Sequence, residues 1–231
     1  MELLEAVNAD DVEKARDLLL RKANISTINS DQQTPLDLAT AKDHTAMVKL
    51  LCSHGADTNS ALVLAVNLGK EASLRMLIEN GADINLDMIM KLGEKAERHT
   101  ALYLAAYNGD ERIASVLLEK GADTNPHNLS YWDDNETALH IAARMGEGIT
   151  RILLEGNADV EAKNSSGYTP LSYAIGRGPK YFWESGPFNE VTTKLLLEAG
   201  ATVSLRDWYT IPRWFRVQNA KYAPTVSPED W

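Results

Sequence analysis

Cysteine is almost absent from this sequence, and no aromatic residue precedes Tyr103. The single Cys52 excludes an internal disulfide and fits a reducing compartment. No run of about 18 apolar residues is present that could span a bilayer. The opening MELLEAVNAD lacks the basic flank and apolar stretch of a signal peptide. We therefore expect a cytoplasmic protein, in the broad sense of intracellular with the nucleus left open, and no membrane partner.

Basic residues are also scarce relative to acidic ones. Lys and Arg number 23 against 33 Asp and Glu, which gives a net charge of −10. This balance opposes the phosphate-neutralising surface that nucleic-acid binding requires, so we expect no nucleic-acid partner. An acidic surface suits a basic protein partner, although acidity of this size also serves solubility alone. With 44% apolar and 24% charged residues, the chain has the composition of a folded globular protein.

Two kinds of segment recur along the chain. In the first kind, a Thr hydroxyl can cap exposed backbone N–H groups, and a following Pro occupies the first helical position, where no N–H is needed. These segments are therefore predicted helix starts. They are TPLDLATA from Thr34, SALVLAVN from Ser60, TALYLAAY from Thr100, TALHIAAR from Thr137 and TPLSYAIG from Thr169. The second kind follows each of them: KLLCSHGAD, RMLIENGAD, SVLLEKGAD, RILLEGNAD and KLLLEAGAT.

The second kind of segment predicts a leucine-rich helix that ends at a residue with positive φ. Glycine adopts that conformation most readily, and Asn is the next most tolerant residue. The predicted end positions are Gly55, Gly81, Gly121, Asn157 and Gly200. One pair of such helices is too small to bury both of its faces, so neighbouring pairs must stack and share one continuous core.

These segments resemble ankyrin repeats, whose pattern is a T-P-L-H-x-A helix, a turn, a second helix ending in L-L-x-x-G-A-D, and a projecting finger. The resemblance implies an all-α, ankyrin-type helical solenoid of about six repeats over residues 1–206. It places the repeats at 1–33, 34–59, 60–99, 100–136, 137–168 and 169–206, with a C-terminal extension, 207–231, packing on the last repeat. The family histidine is kept only at His140, while Asp37, Val63, Tyr103 and Ser172 occupy the matching positions.

The spacing of the repeats predicts unequal fingers. The threonine-equivalent positions lie 26, 40, 37 and 32 residues apart, against about 33 in the family. The short spacing predicts almost no finger between residues 55 and 60. The longest one gives INLDMIMKLGEKAERH, residues 84–99, enough length for a helical turn of its own. The next finger, PHNLSYWDDNE, residues 126–136, carries Tyr131 and Trp132.

The aromatic residues crowd near the carboxyl end. Of the sixteen, ten lie in PKYFWESGPF, residues 179–188, or in residues 208–231. Both segments flank the last predicted helix, so we expect the rings to meet and to cap the exposed end of the stack. Rings that stay exposed would instead form a recognition patch or line a cleft, and both roles are compatible. The repeat pattern is expected to stop after Arg206, with PRWFRVQNAKY forming about three helical turns that place Trp214, Val217 and Lys221 on one side.

The leading functional hypothesis is a non-catalytic module that binds another protein through its concave face and finger loops. The resemblance implies that contacts come from the inner face of the first helices and from the fingertips. The candidate binding residues, together with two from the aromatic insertion, are Tyr103, Tyr107, Asn108, Tyr131, Trp132, Asp133, Asp134, His140, Arg144, Met145, Tyr168, Arg177, Tyr181 and Trp183.

An alternative hypothesis is a small-molecule or catalytic site on the same scaffold, with an apolar ligand under the aromatic insertion and tail. Its candidate proton-transfer groups are Tyr131, Asp133, Asp134, His140 and Glu184. His140 also matches the family's structural histidine, which bonds to the adjacent loop. No histidine shows metal-ligand spacing with Cys or acidic partners, and no phosphate-loop or nucleophile motif occurs. We therefore expect no metal, no cofactor and no catalytic residue, and we expect Cys52 to be a small buried apolar side chain.

Overall fold

A computed structural model describes residues 2–86, 88–92, 95–125, 135–177 and 188–224, with the backbone alone for 88–92 and 95–98. The described part contains fourteen α-helices, one two-stranded sheet and a 3₁₀ turn at Ala220–Tyr222. The helices are α1 (Glu2–Asn8), α2 (Val12–Leu20), α3 (Pro35–Ala41), α4 (Thr45–Ser53), α5 (Thr58–Asn67), α6 (Glu71–Glu79), α7 (Ala101–Asn108), α8 (Glu111–Glu119), α9 (Ala138–Met145), α10 (Glu147–Glu155), α11 (Pro170–Ala174), α12 (Glu190–Glu198), α13 (Leu205–Thr210) and α14 (Arg213–Gln218). The strands are β1 (Met88–Leu92) and β2 (Lys95–His99).

The helices form two layers. The odd-numbered helices α1 to α11 contact one another in sequence, and the even-numbered helices α2 to α12 do the same. Buried apolar side chains form one cluster that runs from Leu3 to Phe215. The predicted helical solenoid with a shared, elongated core is therefore confirmed. None of the described helices has the length and apolar character needed to cross a membrane.

Three predicted helix starts have the expected cap. The Asp37 N–H donates to Thr34 Oγ1 (3.1 Å), the Tyr103 N–H to Thr100 Oγ1 (3.2 Å), and the Ser172 N–H to Thr169 Oγ1 (3.4 Å). Pro35 and Pro170 open α3 and α11, as predicted. The sequence pattern thus sets where these three first-layer helices begin.

The third pair starts differently from the prediction. Helix α5 begins at Thr58, because Asp57 caps it by accepting a hydrogen bond from the Asn59 N–H (3.0 Å). Ser60 therefore lies inside the helix, and its hydroxyl donates to Asp37 Oδ1 of the preceding pair (3.0 Å). The very short connection between α4 and α5 is confirmed.

The predicted helix ends are confirmed by the backbone. Gly55, Gly81, Gly121 and Gly200 have φ values of 83°, 91°, 90° and 99°, and Asn157 has φ 61°. All five follow second-layer helices, where a positive φ lets the chain turn back and satisfy the last carbonyls.

The long finger is a β-hairpin, so the predicted helical turn there is wrong. Strands β1 and β2 pair antiparallel, with Met88 opposite His99 and Leu92 opposite Lys95. Two short adjacent segments satisfy each other's backbone groups by pairing, whereas a single helical turn would leave most of its own unpaired.

A further helix, α13, spans the position at which the repeat pattern is expected to stop. The Asp207 N–H donates to Ser204 Oγ (3.0 Å), and the Ser204 hydroxyl donates back to Asp207 (2.6 Å). This is the cap seen at Thr34 and Asp37, and it starts α13. The expected boundary between residues 206 and 207 falls inside this helix. The expected three-turn helix is also wrong, because α14 ends at Gln218 and only a 3₁₀ turn follows it.

The aromatic segments meet, as predicted, at the residues that the structure describes. Phe188 contacts Phe215 and Trp214 edge to face, with ring centroids 5.3 and 6.1 Å apart. Phe215 and Ile211 are both 1% exposed and belong to the shared core. The tail thus covers apolar surface of the last helices. The rest of the insertion, residues 179–187, lies outside the described residues.

Candidate functional site

Equivalent residues near the ends of the first-layer helices form a row along one edge of the stack. Each helix pair returns the chain to the first layer, so the same register position recurs from one pair to the next. Two members of the row are large apolar side chains, Leu68 and Met145, which are 48% and 49% exposed. The full row, called here the helix-end row, consists of Lys42, Leu68, Asn108, Met145 and Arg177.

Five residues predicted for the binding face lie in this row (Asn108, Met145 and Arg177) or beside it (Tyr107 and Arg144). Asn108 is exposed, and Tyr107 and Arg144 are half-buried at the preceding register position. Tyr107 packs on the core with part of its ring. The sequence prediction missed Lys42 and Leu68. It considered this position only in the later repeats, although the same repeat register identifies both of them.

Tyr103 lies in the interior, which corrects its prediction as a contact residue. It is 8% exposed, its ring stacks on His99 (4.0 Å between centroids), and its hydroxyl donates to Glu136 Oε2 (3.3 Å). The Tyr173 hydroxyl donates to the other oxygen of Glu136. One carboxylate therefore ties α7 to α11 through the segment before α9.

His140 is a structural residue, which corrects its candidacy for partner contact and for proton transfer. It is fully buried; the Thr137 N–H donates to Nδ1 (3.1 Å), so the proton is on Nε2, which donates to the Tyr168 carbonyl (3.0 Å). Burial lowers the pKa of His140 to about 4. The ring is therefore neutral near pH 7, and both nitrogens are occupied by hydrogen bonds within the chain.

Tyr168 and Arg177 lie at a groove near the carboxyl end, called here the polar groove. Arg177 donates to Asp207, and its guanidinium lies 5.8 Å from the centroid of the Tyr168 ring. The groove encloses about 340 Å³ between the turn before α11 and the start of α13. Its charged lining residues are Glu161, Lys163, Arg177, Arg206 and Asp207.

The lining of the polar groove differs from the apolar pocket of the alternative hypothesis. Tyr168 is its single aromatic residue among those the structure describes. Among the described rings of the insertion and tail, Phe188 packs on Phe215 and Trp214 instead. The remaining candidates, Tyr131, Trp132, Asp133, Asp134, Tyr181, Trp183 and Glu184, lie outside the described residues.

Among the residues that the structure describes, no group of three or more His, Cys, Asp or Glu side chains is placed to hold a metal ion. Cys52 packs partly against the core, and burial raises the pKa of its thiol.

Stacked helix pairs with capped starts and positive-φ ends define a helical repeat protein of the kind that presents an extended binding surface. The chain belongs to the ankyrin-repeat family, since the model for ankyrin repeats (3 copies) matches residues 3–88 and 102–207. Ankyrin repeats are generally protein-interaction modules. No curated protein matches the sequence.

Among the solved structures similar to the chain are two ankyrin repeat domains. An ankyrin repeat domain from Acinetobacter baumannii is 27% identical over 87% of this chain and 98% of its own, with a TM-score of 0.65. The ankyrin repeat domain of Bcl-3, described as a unique member of the IκB protein family, is 22% identical over 96% of this chain and 98% of its own, with a TM-score of 0.76. The second likeness is one of fold alone.

Proposed function

We propose that this protein binds a partner protein along the helix-end row, with Tyr107 and Arg144 contributing beside it. The observation that carries the proposal is the exposure of Leu68 and Met145, which are 48% and 49% accessible at equivalent positions of different repeats. Exposed single apolar residues are ordinary, but two at the same register position of a repeat stack lie on one continuous surface.

The composition of this surface suits protein recognition. Met, Tyr and Arg are enriched in protein interfaces, whereas Lys and Glu are depleted. Met145, Tyr107 and Arg144 supply all three enriched types next to one another at the ends of α7 and α9. A standard interface buries about 800 Å² on each partner. A row that extends from α3 to α11 is long enough to supply an area of this size.

A position-dependent crosslinking experiment tests the proposal. A photoreactive phenylalanine analogue replaces Asn108 or Met145 in the full chain, which is then irradiated in an extract of the source cells. The expected result is the same crosslinked protein from both positions. The matched control places the analogue at Glu155, an exposed residue of α10 in the second layer.

A second substitution separates binding from chance proximity. Adding Leu68→Asp to the Asn108 crosslinking variant places a charge in the apolar part of the row and should abolish the adduct. Circular dichroism checks that this variant is folded. An adduct that forms equally at Glu155, or that persists with Leu68→Asp, would show that the partner binds elsewhere.

A further inference from the structure

The polar groove contains cationic side chains that the fold leaves available. Glu161 is already engaged, because Thr202 donates to it from both its N–H (2.6 Å) and its hydroxyl (2.9 Å). Asp207 accepts from Arg177 and from the Ser204 hydroxyl. The two carboxylates of the groove therefore have fixed donors within the chain.

Two of the three groove cations are in a different situation. Lys163 and Arg206 are exposed, and neither forms an ion pair with any residue that the structure describes. They come from different segments that line the groove, since Lys163 precedes α11 and Arg206 is in the first turn of α13. Counting Arg177, the groove has three positive and two negative groups, whereas the whole chain has a net charge of −10.

We propose that the polar groove binds an acidic, extended peptide segment of a partner protein, whose carboxylates reach Lys163 and Arg206. A lysine ammonium and an arginine guanidinium both donate charge-assisted hydrogen bonds to carboxylates. The volume of about 340 Å³ accommodates a few side chains. The segment is assigned to the partner of the proposed function, so the inference rests on that function, but the groove and the helix-end row are tested separately.

The charge of the whole chain makes a local positive site selective for acidic segments. A chain with a net charge of −10 repels acidic segments in general. An acidic peptide therefore binds only where the local charge is reversed, which makes the groove selective for one place on the surface. Ionic strength should weaken this contact, because both cations are exposed.

The test uses the purified full chain and a fluorescein-labelled peptide of twelve residues in which Glu and Gly alternate. Fluorescence anisotropy is expected to show saturable binding that weakens from low to physiological salt, and no binding of the same peptide with Gln in place of Glu. The double variant Lys163→Glu and Arg206→Glu should weaken binding by about tenfold or more. Equal binding of the Gln peptide would overturn the proposal.

A matched charge control is available in the first two repeats. Lys14 and Lys49 are exposed, and neither is in an ion pair among the described residues. The variant Lys14→Glu and Lys49→Glu alters the net charge by the same amount as the groove variant. It should bind the acidic peptide nearly as well as the unmodified chain. An equal loss in both variants would show that overall charge, not the groove, determines binding, and would contradict the proposal.

Two further titrations test whether a different ligand occupies the polar groove. Residues 225–231 of this chain include Glu229 and Asp230, so a chain shortened to residue 224 is titrated in parallel. Unchanged affinity supports a partner segment, whereas a marked gain would assign the groove to the chain's own end and overturn the proposal. Inorganic phosphate is titrated at matched ionic strength. Displacement of the peptide by millimolar phosphate would assign the groove to small anions and overturn the proposal, while persistence of the complex supports it.

The two proposals fail in different ways. The peptide assay contains no partner protein, so its failure leaves the crosslinks at Asn108 and Met145 unaffected. Loss of those crosslinks leaves the peptide titration interpretable by itself.

Discussion

Arg177, in the turn after α11, donates a hydrogen bond to the carboxylate of Asp207 in the first turn of α13. Both side chains are largely buried, at 16% and 11% exposure. The contact joins the last of the stacked helix pairs to α13. It also fixes one wall of the polar groove.

Removing one partner of this pair should destabilise the carboxyl-terminal end. Asp207→Ala leaves a largely buried guanidinium without its carboxylate and also removes the cap of α13, so we expect a loss of about 3 kcal/mol or more. Urea unfolding followed by circular dichroism measures it. The double variant Arg177→Leu and Asp207→Leu should be less destabilised than Asp207→Ala, since no uncompensated charge remains. The reverse order would show that the ion pair is not the important contact.

The aromatic cluster gives a prediction about local stability. Phe215 is 1% exposed and packs edge to face on Phe188, so Phe215→Ala should cost about 3–5 kcal/mol. In a repeat array each unit contacts only its neighbours, so the damage should stay local. Hydrogen exchange should become faster across α12 to α14 and stay unchanged in α1 to α4. Val217, at 71% exposure, provides the control: Val217→Ala should change the stability by less than about 0.5 kcal/mol.

Much of the fold could be predicted because the same kinds of residue begin and end the helices in each repeat. Thr34 and Pro35 identify a helix start, and Asn157 identifies a helix end even where glycine is missing. The start of α5 was misplaced because Asp57 is an equally good cap three residues before Ser60, and only the packing of Ser60 on Asp37 distinguishes them. Helix α13 was not predicted because Ser204 and Asp207 form its cap without the usual Thr-Pro signature.

The buried histidine predicts a pH dependence of stability. The pKa of His140 is lowered from 6.5 to about 4 by burial, so between these values the unfolded chain binds the proton and the folded chain does not. The stabilisation is fully present above pH 6.5 and is lost as the pH falls towards 4. The loss amounts to as much as about 3 kcal/mol.

The variant His140→Gln isolates this effect, because Gln keeps one donor and one acceptor but does not titrate. Free energies of unfolding measured between pH 4 and 7.5 should decline less for the variant than for the unmodified chain. Parallel curves for the two proteins would mean that the folded state accepts a proton at His140 without cost.

The left-handed residue Asn157 supplies a backbone test. Its φ is 61° and its side chain is exposed, so its conformation matters more than its contacts. Asn157→Ala should destabilise the fold by about 1 kcal/mol, because Ala lacks the short polar side chain that lets Asn tolerate the left-handed conformation. Asn157→Gly, which removes the strained Cβ, should be neutral or slightly stabilising. Thermal unfolding of the three proteins gives the comparison. A drop for Gly as large as the drop for Ala would point to a side-chain role instead.

The candidate site was predictable only in part, and for a physical reason. Register position identifies residues near the surface, such as Asn108 and Met145, but it does not show which side chains turn inwards. Tyr103 and His140 have the same motif position in neighbouring repeats, and both are used to brace the stack. The polar groove depends on α13, whose start was not recognised in the sequence.

The central claim is that the partner binds along the helix-end row. Hydrogen exchange of the full chain, with and without the protein identified by crosslinking, tests it most directly. The account predicts slower exchange at the carboxyl ends of α5, α7 and α9 and at the turn that contains Arg177, with α6, α8 and α10 unchanged. Protection confined to α6, α8 and α10 would contradict it.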